Sequence, residues 1–248
     1  MLRKRVIAVL TLNDGVLFRT KLFRPDYRYT ANFVDTWSID ELVILDVTRN
    51  NFGDKNVFFR TVEEFASRCF VPISVGGGIR SLSDVKTFLD AGADKVVLNS
   101  GAIENPSLIE EIAFAYGAQC IVLSIDVVEG TEKKYEVYSH CATRPSGLDP
   151  LFWASLGEKL GAGEILLTPV KNDGWLQGYN LELCRAVADE VNIPVLILGG
   201  AGNWQHFIDG VNIGNAAGVC TQNIYHFTES SIQSAKSVMA AAGIPVRT

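Results

Sequence analysis

The chain has 248 residues, of which 48% are hydrophobic, and this size and composition predict one large barrel domain spanning residues 1–248. Its net charge of −6 without a basic block argues against nucleic-acid binding, and its amino-terminal apolar run is too short for a signal peptide or a membrane span. Five scattered cysteines without a C-x-x-C pair and three histidines without metal-ligand spacing predict reduced thiols, a cytoplasmic location, no metal and no other cofactor.

Short, continuously apolar segments alternate along the chain with segments of helical periodicity. Continuous apolar runs are typical of parallel strands that are buried on both faces. Strands are predicted at Val6–Leu12, Glu41–Val47, Val71–Val75, Lys95–Asn99, Cys120–Ile125, Glu164–Thr168, Pro194–Leu198 and Gly218–Thr221. Helices are predicted at Thr61–Cys69, Ser83–Ala91, Ser107–Ala115, Pro150–Leu160 and Leu181–Val191.

One motif occurs twice, with the same spacing from its glutamate to its glycines. Glu41 and Gly76 begin and end the first copy, and Glu164 and Gly199 lie 123 residues further along. Eight strands alternating with helices in a chain of this length predict the α/β class and a (β/α)₈ barrel with a two-fold internal repeat. A doubly wound open sheet is the alternative, but the repeat favours closure.

Each copy contains a glycine turn after a predicted strand. Backbone N–H groups at such a turn bind anions, and the alternative is that the glycines only allow a tight turn. Asn99 and Ser100 end the strand that follows the first turn and supply further donors. The predicted phosphate ligands are Gly76, Gly77, Gly78, Asn99 and Ser100 in the first half, and Asp173, Gly174, Gly200, Gly202 and Asn223 in the second.

Two aspartates end predicted strands, at the edge where barrel enzymes place their catalytic groups. Asp126 ends the fifth strand and is predicted to be a general acid or base, with a solvated turn residue as the alternative. Asp46 ends the second strand, and its position fits a group that orients a substrate or a purely structural role equally well.

Charged residues of both signs begin four predicted strands. Because strand starts meet at one end of a barrel, we expect these side chains to converge on its axis at the bottom face and to pair there. They are Arg5, Glu41, Lys95 and Glu164. A salt-bridged plug is the structural interpretation.

The basic and aromatic stretch Arg19–Tyr29 is predicted to be a mobile loop over the opposite face, with an ordinary exposed loop as the alternative.

The chain resembles the cyclase subunit of imidazole glycerol phosphate synthase over essentially its whole length. The segments that carry the resemblance include Asp40–Asp46, Val75–Ser81, Ala91–Val96, Gly161–Thr168, Gly199–Gly202 and Gly243–Arg247. This family is a (β/α)₈ barrel that binds a glutaminase at its bottom face. Ammonia from glutamine passes through the barrel to a bisphosphorylated ribonucleotide at the top.

The resemblance implies a role for each matching residue. Gly76–Gly78 with Asn99 match the first phosphate site, and Gly199–Gly202 with Asp173 and Gly174 match the second. Arg5, Glu41, Lys95 and Glu164 match a charged gate through which ammonia enters, and Asp94 matches a residue near the glutaminase interface. Asp126 matches one of two catalytic aspartates.

The other catalytic aspartate is replaced by Thr11, which does not titrate near neutral pH. Losing one member of an acid/base pair typically costs about 10²–10⁴-fold in rate. The chain thus lacks one catalytic residue at the top of the barrel but has all four residues of the charged gate at the bottom. In this it resembles paralogues of sugar-amidation pathways, which pass ammonia to a separate enzyme. The resemblance therefore implies an ammonia-conducting subunit, enzymatic in type, for amidination of a surface-polysaccharide sugar. The alternatives are a genuine cyclase subunit of histidine biosynthesis and a non-catalytic scaffold that activates a glutaminase.

Overall fold

The computed structural model describes residues 3–28, 39–49, 55–131, 134–222 and 232–247. Strands in these ranges begin and end close to the predicted positions, and four additional strands are present. The strands are β1 (Arg5–Asn13), β2 (Val16–Lys21), β3 (Arg24–Arg28), β4 (Glu41–Asp46), β5 (Ile73–Gly76), β6 (Lys95–Leu98), β7 (Ile121–Glu129), β8 (Tyr135–Ser139), β9 (Arg144–Pro145), β10 (Glu164–Pro169), β11 (Val195–Ile197) and β12 (Gly218–Thr221).

Eight of these strands form a closed parallel barrel in the order β1, β4, β5, β6, β7, β10, β11, β12. The barrel closes between the first and last strands, where Arg5 pairs with Gly218 and Ala8 pairs with Thr221. This closure confirms the predicted (β/α)₈ barrel and excludes the doubly wound open sheet, which has two free edges.

Helices connect the barrel strands and cover the outside of the sheet. They are α1 (Lys55–Arg68), α2 (Leu82–Asp90), α3 (Ser100–Glu104), α4 (Ser107–Tyr116), α5 (Pro150–Leu160), α6 (Leu181–Glu190), α7 (Trp204–Asn212) and α8 (Ile232–Ala241). The bounds predicted for α5 are confirmed because its signals are local: Asp149 caps the first turn, and Gly161 ends the helix at φ 104°. No helix in the described ranges is long and apolar enough to cross a membrane.

The predicted mobile loop is instead part of an antiparallel hairpin, as far as Arg28; Tyr29 lies outside the described residues. β2 pairs with β1 and β3 pairs with β2, which forms the first hairpin. Asp14 and Gly15 both have positive φ, 50° and 71°, as a two-residue turn between twisted strands requires. A second hairpin, β8–β9, extends β7 in the other half of the barrel.

The register of the barrel strands shows which residues of the two halves are equivalent. Thr11 pairs with Leu45 across β1–β4, and Asp126 pairs with Thr168 across β7–β10. Positions 45 and 168 are 123 residues apart, the same offset that separates Glu41 from Glu164. Strand register therefore makes Thr11 the counterpart of Asp126.

Apolar side chains fill the barrel and also the layer between the sheet and the helices. The interior cluster consists of Ile7, Val9, Val43, Val97, Val122, Leu166, Leu196, Leu198 and Cys220. Large side chains such as Trp153 and Phe207 are buried in the outer layer. The barrel centre is thus an apolar medium between its charged bottom and its polar top.

An ion pair joins the last helix to the barrel. Lys236 of α8 donates to Asp40 Oδ1 at 2.8 Å, and Asp40 Oδ2 accepts from the Val6 backbone N–H at 2.8 Å. Both charged side chains are buried. A buried charge that loses its partner is strongly destabilising, because nothing then compensates for the hydration that the charge lost on folding.

We predict that Lys236→Met lowers the free energy of unfolding by roughly 3–5 kcal/mol, because it leaves the Asp40 carboxylate buried without its cation. Urea denaturation measures this. The matched control is Lys86→Met, which breaks an exposed pair with Asp90 and should leave the midpoint unchanged. Equal effects of the two substitutions would contradict a stabilising role for the buried pair.

Candidate functional site

The carboxyl ends of the barrel strands surround a cavity of about 750 Å³. This edge is where (β/α)₈ barrels carry their active sites. The cavity brings together predicted residues from both halves of the chain, namely Thr11, Asp46, Gly76, Gly77, Gly78, Asn99, Ser100, Asp126 and Asp173. Asn223 lies outside the described residues.

The first glycine turn, Gly76–Gly78, forms one wall of this cavity. Gly77 and Gly78 have φ of 141° and 69°, and a Cβ on Gly77 would lie 2.5 Å from Asp46 Cβ, so this turn requires glycine. A Cβ on Gly78 would lie 3.6 Å from Lys55 Nζ. An ammonium group therefore stands beside the predicted phosphate site, where it favours an anion.

Asn99 and Ser100 stand at the same wall, but their side chains contact the protein. Asn99 Nδ2 donates to the Ser124 and Tyr138 carbonyl oxygens, each at 3.2 Å. Ser100 Oγ donates to Asn99 Oδ1 and accepts from the His140 backbone N–H. Both residues thus hold the second hairpin against the wall, and the Asn99 amide group is engaged there rather than directed at a ligand.

Four basic side chains at this wall were missed by the sequence analysis: Lys55, Arg80, His140 and Arg144. Arg80 forms an ion pair with Glu104, and His140 Nε2 lies 3.3 Å from the same carboxylate. Burial, and then the charge of Arg144, lower the pKa of His140. Arg80 lies two residues after Gly78 and was detectable, whereas His140 and Arg144 come from a hairpin that was not predicted.

A strained turn and an arginine close part of the cavity mouth. His140, Cys141 and Ala142 have consecutive positive φ angles of 53°, 52° and 59°, which are costly for residues with a Cβ. Arg49 Nη2 donates to the Cys141 carbonyl at 3.3 Å and to the Phe23 carbonyl at 2.9 Å. Arg49 therefore bridges the turns of the two hairpins across the barrel mouth.

Asp126 is the candidate acid or base of the cavity. Its carboxyl group is buried and accepts a hydrogen bond from Ser124 Oγ at 3.1 Å. Burial raises its pKa to about 7, the Ser124 hydrogen bond opposes this rise, and the charge of Asp173 adds to it. A group that titrates near neutral pH can both accept and donate a proton there.

Thr11 offers no comparable chemistry at the equivalent position. It is buried, and its hydroxyl donates to the Phe18 carbonyl in the first hairpin. The side chain is therefore satisfied within the protein. The two halves of the barrel provide one titratable group at this register rather than two.

The second glycine turn, Gly199–Gly202, does not open onto the large cavity in the same way. Three of its residues, Gly199, Gly200 and Ala201, border a space of about 10 Å³ together with Asp173 and Gly174. A cavity needs about 10–15 Å³ to hold one water, so a phosphate fits here only if neighbouring groups move. The predicted second phosphate site stays a prediction that requires such a movement.

At the bottom face, the four predicted charges form a closed ring of ion pairs, which we call the ion ring. Arg5 Nη1 lies 2.5 Å from Glu41 and 2.7 Å from Glu164, and Lys95 Nζ lies 2.9 Å from Glu164 and 3.4 Å from Glu41. Each cation therefore contacts both carboxylates. The predicted convergence of these side chains on the axis is confirmed.

Asp94 stands next to the ion ring on the same face. It is exposed, and its carboxylate accepts a hydrogen bond from the Ile73 backbone N–H at 2.8 Å. The residue thus fixes the start of β5 while one side remains open to solvent. In the part of the chain that the structure describes, no group of three His, Cys, Asp or Glu side chains is arranged to hold a metal ion.

The raised pKa of Asp126 predicts a pH-dependent stability with a defined sign. Because the folded state binds the proton more tightly than the unfolded state, the contribution of Asp126 to the stability of the wild type falls as pH rises from about 4 to about 7. Asp126→Asn lacks this loss, so its unfolding free energy relative to wild type should increase between pH 5 and pH 8. Urea denaturation at both pH values measures the difference, and an equal difference at the two pH values would contradict the raised pKa.

A comparison with protein families agrees with this architecture. The family described as Histidine biosynthesis protein matches residues 7–231. The matched range contains both glycine turns, Thr11 and Asp126, and three members of the ion ring. The chain belongs to the histidine biosynthesis protein family.

Proposed function

We propose that the chain is a cyclase-type subunit that accepts ammonia from a glutaminase at its bottom face and conducts it through the barrel. The observation that carries this proposal is the ion ring, which lies below an apolar interior and opposite the 750 Å³ cavity. Four charged side chains that converge at a barrel floor cost free energy that apolar side chains would not, because each charge must be desolvated. A role in admitting a small polar molecule accounts for their presence.

The apolar interior fits the passage of neutral ammonia. An ammonium ion would lose its hydration between Ile7, Val43 and Leu166, whereas NH₃ carries no net charge. Passage requires an opening in the ion ring. The Lys95–Glu41 contact of 3.4 Å is the longest of the four, so movement of Lys95 is the least costly opening.

The exposed Asp94 carboxylate supports a partner at the same face. It lies one residue before Lys95, so a subunit that contacts Asp94 also lies over the ring. A glutaminase is the partner that the resemblance implies, since its product is ammonia.

The proposed destination of the ammonia is a separate enzyme that amidinates an acetamido sugar of a surface polysaccharide. Thr11 supports this choice, because the cavity lacks one of the two carboxylates that ring closure uses in the cyclase subunits. The sugar itself rests on the resemblance to the sugar-amidation paralogues. The localisation that follows is cytoplasmic, where such sugars are assembled.

Asp126 favours a second candidate, a cyclase subunit of histidine biosynthesis with altered chemistry. Its pKa of about 7 and its position in a large cavity are suited to acid/base catalysis on a bound ribonucleotide. A third candidate, a scaffold that only activates a glutaminase, leaves the ion ring and the cavity without a role.

We predict that Thr11 limits ring closure. With ammonium salts and the bisphosphorylated ribonucleotide, turnover should be roughly 10²–10⁴-fold below that of an ordinary cyclase subunit, and Thr11→Asp should raise any residual rate. Thr11→Asn is the matched control, because it has a similar shape without a titratable group. Wild-type turnover near that of an ordinary cyclase would contradict the proposal and favour the second candidate.

The ion ring gives a second test, on the complex with the glutaminase. Lys95→Met leaves two carboxylates with one arginine, so we expect glutamine hydrolysis to continue while the ratio of transferred nitrogen to hydrolysed glutamine changes by severalfold. Lys86→Met on the exposed face of α2 is the control and should leave the ratio unchanged. Stimulated hydrolysis with no nitrogen transfer in wild type would instead support the scaffold.

A further inference from the structure

We propose that the cavity takes a phosphorylated compound with one phosphate group, bound at the first glycine turn, and that the opposite end of this ligand is unphosphorylated. The inference names the ligand class of the same cavity, so it rests on the proposed function for its biological setting. It departs from the bisphosphate that the resemblance implies. Three features of the second half carry it.

The first feature is the docking of the first hairpin onto the loop after β10, which borders the second glycine turn. Thr20 Oγ1 donates to Asp173 Oδ1 at 3.0 Å, and the Phe23 backbone N–H donates to Asp173 Oδ2 at 3.0 Å. The Leu22 N–H donates to the Asp173 carbonyl at 3.2 Å, so the hairpin is fastened through one residue by three hydrogen bonds. Gln222 Oε1 also accepts from Thr20, at 3.2 Å.

This docking is close enough to fill the space that a phosphate would need. A Cβ on Gly174 would lie 2.6 Å from the Thr20 carbonyl oxygen, and one on Gly202 would lie 2.2 Å from the Leu176 carbonyl oxygen. The loop after β10 is therefore pressed between the hairpin on one side and the turn on the other. The remaining cavity of about 10 Å³ follows from these contacts.

The second feature is that one N–H donor of the second glycine turn already has a partner. The Gly202 N–H donates to His206 Nδ1 at 3.0 Å. An anion that approached this turn would compete with His206 for a donor. At the first turn, by contrast, Lys55 stands beside Gly78.

The third feature is charge. Asp173 is 4% exposed and Asp126 is 8% exposed; both line the cavity, and Asp173 also borders the small space at the second turn. Lys21 of the same hairpin places its ammonium group against an aromatic ring, since Nζ lies 4.2 Å from the centre of the Trp175 ring. A second phosphate would meet two buried carboxyl groups, whereas a hydroxyl or amino group could donate a hydrogen bond to Asp126.

The two ends of the expected ligand therefore differ in charge. Its phosphate contacts the wall with Lys55 and Arg80, and its hydroxyl-bearing or amino-bearing end contacts Asp126 and Thr168. A sugar monophosphate fits this description in size and chemistry, because the cavity of about 750 Å³ is in the range of small-molecule sites.

Calorimetry with three probes tests the proposal on the unmodified chain: ribose, ribose 5-phosphate and ribulose 1,5-bisphosphate. We expect the monophosphate to bind, ribose to bind at least about tenfold more weakly, and the bisphosphate to bind within about threefold of the monophosphate. A bisphosphate that binds tenfold or more tightly than the monophosphate would overturn the proposal. Absence of monophosphate binding would overturn it as well.

Two variants locate the phosphate. Lys55→Met should weaken the binding of ribose 5-phosphate by roughly tenfold. Lys86→Met is the matched control and should leave this affinity unchanged. Asp173→Asn should loosen the first hairpin and increase the affinity for the bisphosphate selectively. Because the wild-type comparison needs no variant, it stands even if Asp173→Asn does not fold.

These measurements are independent of ammonia transfer, because they use neither glutamine nor the glutaminase. Tight binding of the bisphosphate would contradict the single-phosphate inference without bearing on nitrogen transfer through the ion ring. Conversely, a complex that transfers no nitrogen would remove the proposed function while the affinity ratio of the probes still reports the ligand class.

Discussion

The pairing of buried charge at the barrel floor is the constraint on which the rest of the structure depends. Glu41 and Glu164 occupy the same position of the two halves, and two carboxylates that meet on one axis require two cations. Arg5 and Lys95 supply them, and each contacts both glutamates. The ring holds four strands in register and separates an exposed face from an apolar interior. Any account of function must explain why these charges are kept where packed apolar residues would close the floor.

Above this floor, the two halves share hairpins and glycine turns but differ in their side chains and in the space at each turn. The first half keeps an open glycine turn with basic neighbours, while the second half keeps the titratable carboxyl group of Asp126 and has little space at its glycine turn. The hairpin after β1, which belongs to the first half, reaches across to Asp173 in the loop that borders this turn. Each half has therefore specialised: one end of the cavity favours anions and the other presents acceptors. This division is a physical reason to expect a ligand whose two ends differ.

Much of the fold was predictable because its signals are local or periodic. Asp149 and Gly161 mark the ends of one helix, and strand starts that carry charge had to meet once the barrel was inferred. The hairpins were missed although Asp14-Gly15 is a strong turn signal, because charged residues such as Arg19 hid the strand pattern. The basic wall and the closed second turn depend on contacts between residues far apart in the chain, about 150 positions for Phe23 and Asp173. Such contacts cannot be predicted from the sequence of any single segment.

Ammonia conduction is the central claim, and isotope partition tests it most directly. The complex with its glutaminase is given glutamine labelled with ¹⁵N in the amide group, together with excess unlabelled ammonium in solution. If ammonia travels through the barrel, the product of the acceptor reaction should carry ¹⁵N well above its fraction in the dissolved ammonium. Product that carries only the isotope ratio of the solution would contradict conduction, because the nitrogen would then have arrived from outside the barrel.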